Sequence, residues 1–311
     1  MKKMFTGLFL LINLTGQAQT SNLQTSNLFF KAYEAADFDL MATYWSDSVM
    51  QQDLIVGELY GIEGVWHGKE TVLSMWKRAF SRKPHYIKID IREQFTSGNY
   101  VVTDLSYESG NNFGGKAGIT RGEMFTIFKF DEGKIIEHYD FGDYFAWERQ
   151  IQSITEGKHN LPREQASNLK VAEEYIAAYS QKDVDKMFSL YAENVDFKDL
   201  TAKDIFGGDN FEKHGRNEVK AFWKQVLVDS KPDHVDVKIN GMFYSGSYVM
   251  LNTTFSMVLP SAWTNGVKNV MVSFPIKTIL QIKEGKILQH LDFADYDTYN
   301  QQIKLQTRKE Q

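Results

Sequence analysis

Gly133-Lys-Ile-Ile-Glu-His-Tyr-Asp-Phe-Gly-Asp-Tyr144 and Gly285-Lys-Ile-Leu-Gln-His-Leu-Asp-Phe-Ala-Asp-Tyr296 are one segment written twice, with eight of twelve positions identical at an offset of 152. Working outward, Phe95-Thr-Ser-Gly-Asn-Tyr-Val101 matches Phe243-Tyr-Ser-Gly-Ser-Tyr-Val249 at an offset of 148. His67-Gly68 and Trp76 match His214-Gly215 and Trp223 at 147. Ala32-Tyr33, Asp37, Asp39, Met41, Val49 and Asp53 match Ala178-Tyr179, Asp183, Asp185, Met187, Val195 and Asp199 at 146. The order is kept, and the offset grows only by small insertions, as surface loops permit. The chain is therefore a tandem duplication, and a pair of this size is two domains, not a solenoid.

The 311 residues hold 42% hydrophobic and 24% charged residues, enough for two cores. A net charge of −5 gives no broad basic surface, so nucleic acid is not an expected partner. Cysteine is absent, which removes disulfides, thiol nucleophiles and Cys-based metal sites. Lys2 and Lys3, an apolar run from Met4 to Leu14, and small residues at Gly16 and Ala18 have the layout of a secretory leader. The expected division is a signal peptide over 1–18 cleaved near Ala18/Gln19, a first domain over 19–155, a linker over 156–165 and a second domain over 166–311. The expected location is secreted or periplasmic, with no membrane association after cleavage.

Within each copy the period is helical first. Leu169, Ala172, Tyr175, Ile176 and Tyr179 share one face, and Asp183 reads as an N-cap for a short helix burying Val184, Met187, Phe188 and Tyr191. Asp37, Phe38, Met41, Ala42 and Trp45 repeat this in the first copy. A third helix starts after Gly68 or Gly215. From Tyr86 onward the period is two, with strands over 86–91, 100–107, 122–130 and 135–141 and tight turns at Asp131-Glu-Gly133 and Lys283-Glu-Gly285. Residues 110–118 read as a long flexible hairpin loop, a possible pocket lid. Helices followed by an antiparallel meander give an α+β class.

These motifs resemble the nuclear transport factor 2-like superfamily, in its SnoaL-like and ketosteroid-isomerase-like branch. The likeness rests on the Asp-x-Asp helix start, Asp53 and Asp199, the His-Gly pairs at 67 and 214, and the last strand, Glu-His-Tyr-Asp at 137–140 and Gln-His-Leu-Asp at 289–292. It implies two cone-shaped domains, each with three N-terminal helices packed in a curved antiparallel sheet around an apolar pocket. Strand alternation puts His138 with Asp140, and His290 with Asp292, on one face, which the resemblance makes the pocket side. Thr126 and Thr278 face the same way. Trp45 and Trp76, or Tyr191 and Trp223, line the cavity from the helices, with Asp53 or Asp199 near its mouth. By resemblance Asp199 matches the isomerase's proton-shuttling base and Tyr175 its oxyanion tyrosine. In the first copy Asp53 matches but Phe29 stands for the tyrosine. Thr126 and Thr278 replace the second oxyanion acid, so steroid isomerisation is not expected.

Two readings of these residues stand side by side. A carboxylate and a histidine in an apolar cone suit general acid–base chemistry on a small hydrophobic compound, of the isomerase, cyclase or dehydratase type. The same fold serves equally as a non-catalytic ligand-binding or protein-interaction module. Solvation of Asp53 and Asp199, a mutually satisfied His–Asp pair, and aromatic core packing are the structural alternatives. His67 and His214 read as turn residues, and His85, His159 and His234 as surface residues. No metal and no cofactor are expected, since no third ligand has a characteristic spacing. Apolar residues on the opposite sheet face (Phe125, Ile127, Tyr139, Phe141; Ile279, Leu291, Phe293) need cover, so an intramolecular pseudo-dimer is expected.

Overall fold

In the computed structural model the described residues are 5–81, 84–157 and 167–308, with side chains from 20 onward. His159, most of the expected linker and the start of the expected leader lie outside them. The chain divides into two compact units, Met1–Leu161 and Pro162–Gln311. None of the described helices is long and apolar enough to cross a membrane.

The first unit runs α1 (Phe5–Glu34), α2 (Phe38–Tyr44), β1 (Trp45–Gln52), α3 (Leu54–Tyr60), β2 (Val65–His67), α4 (Lys69–Ala79), β3 (Tyr86–Ser97), β4 (Tyr100–Phe113), β5 (Lys116–Asp131), β6 (Lys134–Gly142) and α5 (Tyr144–Thr155). The second repeats this as α6 (Ser167–Ser180), α7 (Val184–Leu190), β7 (Tyr191–Asp199), α8 (Leu200–Phe206), β8 (Glu212–His214), α9 (Arg216–Lys224), β9 (His234–Ser245), β10 (Tyr248–Val258), β11 (Met271–Lys283), β12 (Lys286–Ala294) and α10 (Tyr296–Thr307). Each forms a six-stranded sheet, in the order β2-β1-β6-β5-β4-β3 and its counterpart β8-β7-β12-β11-β10-β9. The class is the α+β arrangement that the sequence predicts.

The predicted caps are present. Asp37 and Asp183 accept hydrogen bonds from Leu40 N and Lys186 N, both at 2.9 Å, satisfying amides that the first helical turn leaves open. The meander β3 to β6 is antiparallel, but β1 joins β6 in parallel, and β7 joins β12 likewise, so the sheets are mixed. Trp45 and Tyr191 begin these strands and do not lie on the preceding helices as the periodicity predicts. The run Trp45-Ser-Asp-Ser-Val-Met-Gln-Gln carries too few apolar residues to announce a strand. Asp53 then caps the short helix α3, which the sequence pattern does not announce.

Residues 110–118 are not a loop. β4 and β5 pair through to Phe113 and Lys116, closed by Gly114 and Gly115 at φ 61° and 92°. Two central residues with positive φ match the right-handed twist of the flanking strands, which is why glycines stand there.

β5 and β11 outrun their neighbours in the last strand of each sheet, and the C-terminal helices cover the overhang. Gln302 Oε1 accepts from Ser273 N (2.8 Å) while its Nε2 donates to Ser273 O (2.7 Å). Gln306 treats Met271 in the same way, and Gln150 treats Arg121 so in the first unit.

The first core gathers Phe29, Met41, Trp45, Val72, Trp76 and Phe128 between helices and sheet. The second gathers Tyr175, Met187, Tyr191, Val219, Trp223 and Leu280.

Candidate functional site

β6 and β12 carry the predicted His–Asp pairs on the face turned to the helices. His138 Nε2 lies 2.9 Å from Asp140 Oδ2, and His290 Nε2 lies 3.0 Å from Asp292 Oδ2. All four residues are buried. Thr126, directly across from Asp140 in the ladder, donates to its Oδ1 at 2.7 Å, and Thr278 serves Asp292 in the same way at 2.5 Å. The parallel register sets Asp199 beside Asp292, and Asp53 follows Gln52, the partner of Tyr139. Each unit thus brings two carboxyls and one imidazole together.

Asp53 and Asp199 are not solvated: they are 4% and 6% exposed. Both are held as helix caps, since the first turn of α3 or α8 supplies an amide: Val56 N reaches Asp53 Oδ1 at 3.0 Å, and Ala202 N reaches Asp199 Oδ1 at 2.9 Å. Burial, and next the charge of Asp140, push the Asp53 carboxyl up to about 8. Burial and the charge of Asp292 push Asp199 up to about 7. A second like charge in a dry site is costly, so Asp53 and Asp199 hold a proton more tightly than a free carboxyl does.

The aromatic residues pack on the histidines. Trp76 stacks on His138 (6.1 Å between ring centres, 17°) and Trp223 on His290 (6.3 Å, 18°). Phe29 and Tyr175 meet the imidazoles edge-on at 5.5 and 5.3 Å. Tyr175 bonds Tyr191 and not a carboxyl: Tyr191 donates to Tyr175 Oη at 3.1 Å and also lies 2.8 Å from His290 Nδ1.

Three site residues escape a reading of the sequence. Tyr296 donates to Asp199 Oδ2 at 2.5 Å from the first turn of α10, and Tyr144 bonds Asp53 from the first turn of α5. Both are the last identical residue of the opening repeat, which is the available signal. Burial and the adjacent carboxyls raise both phenols well above their usual range. Gln51 is the third: its Nε2 donates to Asp140 Oδ2 at 3.2 Å, and its Oε1 accepts from Trp76 Nε1 at 2.7 Å. The second unit has Phe197 at this register position, so the repeat gives no hint of it.

The other histidines lie away from these clusters. His67, His85 and His234 are exposed, and His214 is exposed beside Asp196 at 2.7 Å. Among the described residues no group of three or more His, Asp or Glu could hold a metal ion.

The model of the SnoaL-like domain matches residues 27–138 and again 172–290. A search of curated proteins finds no match. Similar solved structures include one described as a candidate SnoaL-like polyketide cyclase from Shewanella putrefaciens CN-32 (22% identity, TM-score 0.40, 46% of this chain and 100% of that one). Another is an LEH-like epoxide hydrolase from M. tuberculosis (14%, 0.36, 44% and 93%). A third is an NTF2-like protein of unknown function from Burkholderia pseudomallei K96243 (18%, 0.36, 42% and 97%). With most of the chain matched by one family model in two successive segments, this protein belongs to the SnoaL-like domain family, in tandem.

Proposed function

We propose that the protein is an exported acid–base catalyst acting without a cofactor on small hydrophobic compounds that carry a carbonyl or hydroxyl, taken up in an apolar pocket of each unit. The observation that carries this reading is the buried carboxyl pair in each unit, where burial and the neighbouring carboxyl push Asp53 up to about 8 and Asp199 up to about 7. An acid that titrates close to working pH both gives and takes protons efficiently. Asp53 or Asp199 takes the proton from the carbon beside a carbonyl and returns it to that carbon or to a leaving hydroxyl, so the carboxyl ends as it began. Asp140 or Asp292, held by its threonine and histidine partners, sets a like charge beside that carboxyl and raises its proton affinity. The basic, apolar and small-residue layout of 1–18 supports export, checked by N-terminal sequencing of secreted protein for a start at Gln19.

The test is deuterium uptake at the α-carbon of small cyclic ketones in D₂O, followed by proton NMR. The wild type is expected to speed exchange, and the Asp53→Asn/Asp199→Asn double variant to lose about 100-fold or more of that rate. Equal rates with both proteins would sink the proposal in favour of a binding module.

A further inference from the structure

One cross-strand pair differs between the units. Tyr107 on β4 stands six residues after Val101 and faces Gly122 on β5, four before Thr126. In the second unit Phe255 stands six after Val249 and faces Phe274, four before Thr278. The first unit therefore carries one hydroxyl more and one benzyl group fewer at this place. A Cβ on Gly122 would lie 2.7 Å from Cε1, Cζ and Oη of Tyr107, so the phenol end of Tyr107 lies across the bare glycine. In the second unit the ring of Phe274 packs on Phe255 (5.4 Å between centres), Tyr296 (5.8 Å) and Tyr299 (5.5 Å).

The hydroxyl gained in the first unit has nothing to bond, and a second one beside the same acid is in the same state. Tyr107 is 7% exposed and Tyr33 9%, and neither hydroxyl has a hydrogen-bond partner among the described residues. Neither oxygen is sealed in as the Trp45 indole nitrogen is: each keeps surface open to solvent, so unfilled space adjoins both. Burial, then the charges of Tyr33, Asp143 and Asp53, raises the Tyr107 phenol well above its usual range. Burial, then the charges of Asp140 and Asp53, raises that of Tyr33. The two hydroxyls thus gather toward the Asp53 carboxyl, both protonated at neutral pH and both able to donate. In the second unit Tyr179 takes the place of Tyr33, and its ring packs on Phe255 (5.6 Å, 38°).

We infer that the first unit selects oxygenated ligands: a carbonyl or hydroxyl oxygen of a small cyclic compound binds between Tyr33 and Tyr107, and the exchange of Tyr107–Gly122 for Phe255–Phe274 turns the second unit toward a plain hydrocarbon ring. This deepens the acid–base reading, from which it takes the entry of small compounds into each unit. Tyr107 and Gly122 are then specificity-determining residues. A ligand oxygen accepts from the two phenols without displacing any bond that the fold uses. In the second unit an oxygen at that place would lose its water with Tyr179 alone to answer it, while the two phenyl rings favour apolar contact.

Full-length protein labelled with ¹³C at tyrosine Cζ tests this by titration with cyclohexanone and with methylenecyclohexane, which has the same outline without the oxygen. Cyclohexanone is expected to move the Tyr33 and Tyr107 signals at concentrations about fivefold or more below those that move Tyr179, and methylenecyclohexane to act in the reverse order. Tyr107→Phe is expected to weaken cyclohexanone binding, read at Tyr33, by about fivefold and to leave methylenecyclohexane unchanged. Because the lost hydroxyl bonds nothing, this variant should unfold at the same urea concentration as the wild type, which a structural hydroxyl would not allow. Equal cyclohexanone titrations at Tyr33 and Tyr179, an unchanged titration in Tyr107→Phe, or silence at Tyr33 and Tyr107 overturns the inference. A failed ketone exchange test with these shifts intact removes the acid–base reading alone. Absence of the shifts with exchange intact removes this inference alone.

Discussion

Asp53→Asn gives the sharpest test of the electrostatics, because it separates the charge of the group from its place in the fold. Asparagine keeps a side-chain oxygen for Val56 N, so the cap on α3 survives. What disappears is the titration. The wild-type carboxyl rises from 3.8 to about 8 on folding, so the native state binds the proton more tightly than the unfolded chain. Stability from this group is complete below 3.8 and is lost as pH rises through about 8. Each tenfold difference in proton affinity between the two states is worth about 1.4 kcal/mol, so between pH 5 and 9 the wild type should lose about 4 kcal/mol from this one group. Tyr144, its phenol partner, ionises well above that range and does not blur the result. Urea unfolding followed by tryptophan fluorescence at a series of pH values measures the gap between variant and wild type. Any fixed cost of the amide cancels in the pH dependence of that gap. The gap should widen by about 4 kcal/mol from pH 5 to 9 in favour of the variant. A gap constant to within about 1 kcal/mol would refute the claim that Asp53 is buried with its proton.

Two further outcomes follow, one in each unit. Gly64 sits at φ 73°, and a Cβ there would come 2.4 Å from the Asp53 carbonyl oxygen. Gly64→Ala should therefore lower stability by about 1–3 kcal/mol, seen as an earlier urea midpoint at unchanged slope. Tyr296→Phe removes a donor that holds Asp199 down. Its carboxyl should then titrate at a pH higher by about one in a ¹³C NMR titration, and an unchanged midpoint would show that the phenol does not favour the anion.

The repeat makes the fold and half of each site legible. His138, Asp140, Thr126 and their counterparts recur with period two, and alternation places them on one face with no further information. The same comparison finds Asp53 and Asp199 but not their burial, since nothing in Gln52-Asp53-Leu54 says that a helix starts at once and folds the carboxyl inward. Trp45 and Tyr191 change element because so few apolar residues beyond the first are buried, Val49 in β1 and Val195 and Phe197 in β7, that the strands have no visible period. Gln51 is invisible because the second copy has Phe197 there, and a comparison of copies reports only what both kept. Tyr144 and Tyr296 are visible as identities, yet their contact depends on how α5 and α10 turn back at the strand ends, which is set by tertiary packing.

The glutamines of the C-terminal helices have a consequence beyond the strands they touch. An amide side chain offers the same donor and acceptor as a peptide group, so Gln302 and Gln306 stand in for the strand that β11 would otherwise invite from another molecule. The helix that seals this open hem also begins with Tyr296, the residue that grips Asp199. Guarding the sheet against strangers and holding the acid in place are thus one mechanical task, and loosening either end of α10 slackens the other.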